Sequence, residues 1–181
     1  MKWNRIYVLL CFWVFTLGMI AQTPMILNHG KADSQECRDW VENRLNKMTL
    51  KEKIGQLFIH TVSLHNTEAN KKNNRNAVKE YKIGGLLFSD GLVVNQVTLT
   101  NYAQELADVP LMITFDGEWG LNMRLKEIPA FPRNRVVGCI QDNALLYEYG
   151  KEVARQFREI GVHVNFAPVA DVDNNPLNPV I

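Results

Sequence analysis

The chain has 181 residues, of which 46% are hydrophobic and 22% are charged, and its formal net charge is +1. This composition is typical of a globular domain and excludes an intrinsically disordered chain or a multi-span membrane protein. Because the charges nearly balance, nothing in the composition favours binding to nucleic acid or to an anionic membrane surface.

The N-terminal residues have the organisation of a secretory signal peptide. Lys2 and Arg5 form a positive region, and an apolar stretch follows over residues 6–20. That stretch is shorter than an ordinary membrane-spanning helix, so an uncleaved anchor is the weaker alternative. We expect residues 1–22 to be removed, residues 23–32 to form a linker, and the mature protein to be secreted or periplasmic without membrane contact.

Two cysteines would remain after cleavage, Cys37 and Cys139. An exported protein can form disulfides, but residues this far apart in sequence are better interpreted as separate buried thiols. The cysteines and histidines do not have the spacing of a metal site, and His60 and His65 have no evident supporting partner. We therefore expect no metal and no cofactor.

Capping and hydrophobic patterns predict strands that alternate with helices. Thr49 and Glu52 fit a capping box, and Asp142 and Gly161 mark the start and the end of a long helix. The Asn- and Lys-rich stretch 66–76 is typical of a solvated loop. The helices are predicted at 33–47, from Leu50, at 78–82, 95–106 and 142–160, and the strands at 57–59, 86–88, 111–115 and 162–166.

Short apolar strands linked by helices indicate an α/β fold with a parallel sheet. Four βα units are present. A doubly wound sheet can close on four or five strands, whereas a (β/α)8 barrel needs eight strands and about 250 residues. The pattern is compatible with a small doubly wound domain or with part of a barrel.

The most informative stretch is Pro110–Leu125, which reads PLMITFDGEWGLNMRL. Its apolar strand ends at Asp116, and ligands of parallel α/β folds bind at the carboxyl ends of strands. Arg124 follows eight positions later. Because a carboxylate at a strand end needs a partner or a cleft, the two side chains are predicted to form a hydrogen-bonded pair at the mouth of the sheet.

Four segments of the chain together resemble the N-terminal barrel of glycoside hydrolase family 3, and especially its bacterial β-N-acetylhexosaminidase branch. They occur in the order and at about the spacing of that family. The resemblance covers the chain from about Trp40 to its last residue. The segments are MTLKEKIGQLF (48–58), KIGGLLFSDG (82–91), PLMITFDGEWGLNMRL (110–125) and GVHVNFAPVADVDNNPLNPVI (161–181).

The resemblance implies a (β/α)8 TIM-barrel fold, represented over residues 33–181 by about its first four βα units. It also implies that Asp116 binds hydroxyls of a terminal sugar and that Arg124 contacts the same sugar. Trp119 stands where the family pattern usually has glycine, so it would either stack on the sugar or fill the loop. Asp171 matches an acid after the fourth strand that supports the site.

Each of these residues also has a purely structural interpretation. Asp116 could be a capping carboxylate, and Arg124 could belong to a surface ion pair of little energetic value. Asp171 and Asp173 could form turn hydrogen bonds around the following asparagines. His163, which lies inside a predicted strand, is most simply a packed histidine.

The activity implied by the resemblance is retaining hydrolysis of terminal β-linked N-acetylhexosamine, with sugars derived from peptidoglycan as fitting substrates. The segment that carries the acid/base in that branch, and its later nucleophilic aspartate, do not occur in this sequence. We therefore expect no catalytic residue in this chain, and an inactive protein if it is made alone. The alternatives are a β-glucosidase of the same family and a non-catalytic sugar-binding remnant.

Overall fold

The computed structural model describes residues 34–63, 65, 67–172, 174–175 and 177. The predicted signal peptide and linker lie outside these residues, as does Asp173, so the expectations for them stay predictions. In the part of the chain that is described, no helix is long and apolar enough to span a bilayer.

The described chain alternates helices with short strands. The helices are α1 (Gln35–Lys47), α2 (Leu50–Gly55), α3 (Glu68–Lys79), α4 (Val93–Leu106), α5 (Asn134–Val137) and α6 (Asn143–Glu159), with a 3-10 turn at Leu121–Met123. The strands are β1 (Ile59–Val62), β2 (Gly85–Phe88), β3 (Gly91–Leu92), β4 (Met112–Phe115), β5 (Leu125–Lys126) and β6 (Val164–Asn165).

The capping box at Thr49, the cap at Asp142 and the helix end at Gly161 that the sequence predicted are confirmed. At the start of α2, the Thr49 side chain accepts a hydrogen bond from the Glu52 amide, and the Glu52 carboxylate accepts one from the Thr49 amide. This capping box satisfies two amides that the helix leaves unpaired. Asp142 accepts from the Ala144 amide at the start of α6. Gly161, with φ of 76°, follows the end of that helix.

The prediction of a solvated loop over residues 66–76 is wrong from Glu68 onward, where α3 begins. Thr67 caps this helix by accepting from the Asn70 amide. Ala77 and Val78 are buried near its end. The helix buries only a narrow face, so its polar composition hid the helical pattern, because tertiary packing rather than propensity stabilises such a segment.

β1, β2, β4 and β6 form a parallel sheet in that spatial order. Each strand therefore lies beside the one that precedes it in this sheet along the chain. A doubly wound sheet instead reverses its order at a switch point, whereas a (β/α)8 barrel keeps consecutive strands adjacent. The order is that of half a barrel. The first strand begins at Ile59, two residues later than predicted.

The two faces of this sheet have different surroundings. The outer face packs against the helices, and Phe115 meets Phe157 of α6 edge to face, with ring centroids 5.2 Å apart. The pairing register places Ile59, Met112 and Thr114 on the opposite, inner face. Ile59 and Met112 are 42% and 46% exposed, so the inner face is only partly covered.

The apolar side chains that recur at helical spacing along α6 are buried only at the end of the helix. Phe157 and Ile160 belong to the core. Tyr149 is half-buried against Phe131, with ring centroids 5.2 Å apart, whereas Leu145 is 55% exposed. The amphipathic pattern is therefore correct, but within the described residues the first half of α6 has little to pack against.

The two cysteines of the described chain are separate free thiols, as predicted. Cys37 is partly buried and Cys139 is exposed. The predicted burial of both thiols is therefore wrong, because Cys139 follows the short helix α5 at the surface.

Candidate functional site

Two acidic side chains lie at the carboxyl edge of the sheet, after adjacent strands. Asp116 directly follows β4, and Asp90 lies two residues beyond β2. Because the two strands are parallel neighbours, their carboxyl ends bring these acids to the same edge. The Asp116 side chain is 35% exposed, and that of Asp90 is 69% exposed.

Arg124 joins the two carboxylates. Its Nη2 lies 2.5 Å from Asp116 Oδ2, and its Nη1 lies 3.5 Å from Asp90 Oδ1. The hydrogen-bonded pair of Asp116 and Arg124 that the sequence predicted is therefore confirmed as a contact. We call these three residues the mouth cluster.

The backbone places Arg124 between the acids through a feature that the sequence did not reveal. β3 and β5 form a separate parallel pair, and the Gly91 amide donates to the Arg124 carbonyl over 2.9 Å. Arg124 also ends the 3-10 turn, where its amide donates to the Leu121 carbonyl. The loops after β2 and β4 are thus joined next to the guanidinium.

The hydrogen bond from Arg124 to Asp116 raises the pKa of the arginine, and nearby Asp90 acts in the same direction. The guanidinium therefore keeps its charge at all physiological pH values. Because all three side chains are about one third exposed or more, water screens the ion pairs and they add little to the stability of the fold. The polar atoms of the mouth cluster remain accessible to a ligand.

The loop after Asp116 is tightly packed. A Cβ on Gly117 would lie 2.7 Å from Phe157 Cζ, and one on Gly120 would lie 2.7 Å from Phe131 Cδ2. Gly120 also has φ of 82°, which favours glycine. A side chain at either position would therefore require the neighbouring ring to move, and at Gly120 it would also strain the backbone.

Trp119 is half-buried in this loop, and the Arg133 guanidinium lies 4.8 Å from its ring centroid. That distance is typical of a cation–π contact. Since Arg133 covers one face of the indole, a sugar could stack only on the other face. The choice between a stacking and a loop-filling role for Trp119 stays open.

Asp171 is exposed and makes no hydrogen bond or ion pair with the other described residues. The structure therefore does not join it to the mouth cluster, and its supporting role stays a prediction. Within the same described part, no group of three or more His, Cys, Asp or Glu side chains could hold a metal ion.

Two cavities lie beside the sheet. One of about 240 Å³ includes Lys82, Asp108 and Leu111, before β2 and β4, at the end opposite Asp116. The other, of about 500 Å³, lies between α6 and β6 and includes Gly117, His163 and Asn165. It borders the loop that carries the predicted site residues.

Two residues at this edge of the sheet were not predicted from the sequence. Asp90 follows a buried strand, as Asp116 does, so the same rule could have selected it. Asn165 binds both the amide and the carbonyl of Gly117, at 3.0 and 3.2 Å. An asparagine within a short strand gives no sequence signal for such a contact.

Comparison with known families decides the classification. Residues 49–181 match the model of the glycosyl hydrolase family 3 N terminal domain. The chain belongs to glycosyl hydrolase family 3. The family predicted from the sequence is therefore confirmed.

This family 3 chain is similar to two longer curated proteins. Beta-hexosaminidase A of Pseudoalteromonas piscicida is 31% identical over 117 residues, which make up 58% of this chain and 20% of that protein. A beta-N-acetylglucosaminidase/beta-glucosidase of Cellulomonas fimi is 25% identical over 141 residues, or 78% of this chain and 24% of that protein. The chain thus spans about a quarter or less of the length of these relatives.

Solved structures share the family 3 fold. The structure of beta-glucoside phosphorylase BglX bound to 2FGlc has a TM-score of 0.65 at 20% identity, covering 89% of this chain and 28% of that one. A second structure of BglX gives a TM-score of 0.61. At this identity the likeness concerns the fold, and it confirms the predicted TIM-barrel type.

Proposed function

We propose that this chain supplies the sugar-holding side of a glycoside hydrolase site that acts on terminal β-linked N-acetylhexosamine. The observation that carries this proposal is the contact of Asp116 with Arg124 at the carboxyl edge of a family 3 sheet. The name of the relative with 31% identity, a beta-hexosaminidase, supports the choice of sugar.

The chemistry of the mouth cluster suits a pyranose. A carboxylate accepts hydrogen bonds from sugar hydroxyls, and a guanidinium donates to hydroxyl or ring oxygens. Each oxygen of Asp116 has two acceptor sites, so contact with Arg124 through Oδ2 leaves further acceptor sites for hydroxyls. Hydrogen bonds to charged groups are the strong ones, and the pair is oriented before the sugar arrives.

The reaction we propose for the whole enzyme is retaining hydrolysis. A carboxylate attacks the anomeric carbon while an acid protonates the leaving oxygen, and water then releases the sugar from the glycosyl-enzyme. Neither role is assigned to a residue of this chain. Asp116, which is paired with Arg124, holds the sugar in place.

A β-glucosidase is the second candidate, and the double name of the relative from Cellulomonas fimi supports it. The two candidates differ in the acetamido group at the second carbon of the sugar. Tighter binding of N-acetylglucosamine than of glucose favours the first candidate, and the reverse order favours the second.

We predict that the Asp116→Asn substitution weakens sugar binding by about ten- to a hundredfold, because a hydrogen bond to a charged group contributes about 1.5–3 kcal/mol. Binding is measured by NMR titration of the isotope-labelled 181-residue chain with N-acetylglucosamine and with glucose. Asp108→Asn is the matched control, since Asp108 pairs with Lys79 and Lys82 at the other end of the sheet.

The control variant should bind sugar as the unchanged protein does. Equal binding by Asp116→Asn and the unchanged protein would remove Asp116 from the site. If neither sugar shifts the resonances of the unchanged protein at any soluble concentration, the proposed sugar-holding role of the chain is wrong.

A further inference from the structure

The side-chain amide of Asn165 holds the peptide that follows Asp116. Its Oδ1 accepts from the Gly117 amide over 3.0 Å, and its Nδ2 donates to the Gly117 carbonyl over 3.2 Å. The contact joins β6 to the loop after β4, two strands that pair through Phe115 and Asn165. One side chain from the edge strand therefore fixes Gly117, the first residue after Asp116.

A second amide makes the same kind of contact at the other end of β4. Gln104 Nε2 donates to the Leu111 carbonyl and Gln104 Oε1 accepts from the Leu111 amide, both over 2.9 Å. Each end of β4 thus has one residue whose amide and carbonyl are both bound by one side chain. The two contacts are alike in chemistry, but only that of Asn165 adjoins Asp116.

The Gly117 contact has an evident consequence for Asp116. Glycine adopts a wide range of backbone angles, so Gly117 alone would let the peptide next to Asp116 rotate. A larger residue here would require the Phe157 ring to move. Orientation of the loop must then come from hydrogen bonds, and Asn165 provides two of them.

From this geometry we infer that Asn165 is a positioning residue for Asp116: it holds the Gly117 peptide so that the carboxylate faces both Arg124 and the sugar. This role of Asn165 rests on the proposed sugar-holding function. Asn165 does not contact the sugar, and it acts through the loop. Through Asn165, β6 contributes to a site whose other residues lie in the segments that follow β2 and β4.

The test compares Asn165→Ala with Gln104→Ala in the full 181-residue chain. Each substitution removes two hydrogen bonds at one end of β4, so both should lower the urea midpoint of unfolding to a comparable extent. Affinity for N-acetylglucosamine, from NMR titration, should fall roughly tenfold in Asn165→Ala, about the effect of losing one properly placed hydrogen bond. In Gln104→Ala it should stay within about twofold.

If Asn165→Ala fails to fold, Asn165→Asp replaces it, because aspartate keeps the acceptor for the Gly117 amide and loses the donor to the carbonyl. An intermediate loss of affinity is then expected. Equal affinities for the sugar in the Asn165 and Gln104 variants would overturn the positioning role. It would also be overturned if both variants lost affinity in proportion to their loss of stability.

A second readout separates this inference from the proposed function. The side-chain Nε–H resonance of Arg124 reports whether the guanidinium is held by Asp116. If the unchanged protein binds no sugar, the sugar-holding proposal fails. Positioning by Asn165 is then supported only if this resonance is sharp in the unchanged protein and in Gln104→Ala but broadened in Asn165→Ala. A sharp resonance in all three proteins refutes it.

Discussion

His163 links the described fold to pH. Its Nδ1 accepts a hydrogen bond from the Ile113 amide over 2.9 Å, so the ring is neutral and carries its proton on Nε2. Nε2 is buried and has no hydrogen-bond partner among the described residues. Burial lowers the pKa of His163. Protonation would therefore break the bond to Ile113 and bury a charge.

We predict that the free energy of unfolding decreases as the pH falls below about 6.5, the ordinary pKa of histidine. The pKa of His163 is lowered in the folded chain, so the unfolded chain takes up the proton first and stability is lost between the two pKa values. One proton gives a slope of at most about 1.4 kcal/mol per pH unit. Urea unfolding between about pH 5 and pH 8 measures it.

The His163→Gln variant should lose this part of the slope, whereas His65→Gln, at an exposed position, should keep it. Glu52 and Asp108, whose pKa values are lowered by hydrogen bonds to Thr49 and Lys82, also favour the folded state. Their effect is lost only near and below pH 4. An identical slope in the His163→Gln variant and the unchanged protein would show that His163 is not the source.

At the scale of the element, local chemistry was predictable and packing was not. Thr49 and Asp142 were recognised as caps because a cap needs only a few adjacent residues. Asp116 and Arg124 were recognised because they flank one turn. The contact of Asn165 with Gly117 spans 48 residues, and no local pattern encodes it. Most of helix α3 was missed for the same reason, since only its burial against other elements shows that it is a helix. The helix predicted at 78–82 overlaps only its last two residues, because α3 ends at Lys79.

Replacing glycine with alanine is expected to have opposite effects on stability at Gly84 and at Gly150. A Cβ on Gly84 would lie 2.0 Å from the Gln56 carbonyl oxygen, whereas one on Gly150, inside α6, would meet nothing within 4 Å. We predict that Gly84→Ala destabilises the fold by about 1–3 kcal/mol or more, because the backbone must move. Gly150→Ala should stabilise it by about 0.5–1 kcal/mol through helix propensity.

Urea unfolding of the two variants measures both effects. A Gly84→Ala variant as stable as the unchanged protein would mean that the end of α2 does not approach β2 as closely as described. A Gly150→Ala variant of lower stability would mean that α6 packs on a partner at that position.

At the scale of the whole molecule, the sequence predicts four parallel strands, and the described part of the structure leaves both ends of their sheet open. β1 and β6 lie at the two ends of the sheet order, and among the described residues neither is paired on its outer side. The sequence could give the number of strands in this sheet, since each βα unit has its own pattern, but it did not reveal the separate pair of β3 and β5. It could not give their spatial order, which decides between a barrel and a doubly wound sheet.

We predict that a polypeptide of this sequence self-associates as its concentration rises. Ile59 and Phe166, next to the two unpaired strand edges, are 42% and 50% exposed, and Met112, on the inner face of a central strand, is 46% exposed. Such surface is stabilised by burial against another chain. Sedimentation equilibrium should show a mass that increases with concentration. Met112→Lys, which places a charge on the inner face, should shift the chain toward monomer, whereas Val94→Lys, at an exposed position on α4, should not. A monomer at all concentrations, or equal association of both variants, would show that the inner face does not drive assembly.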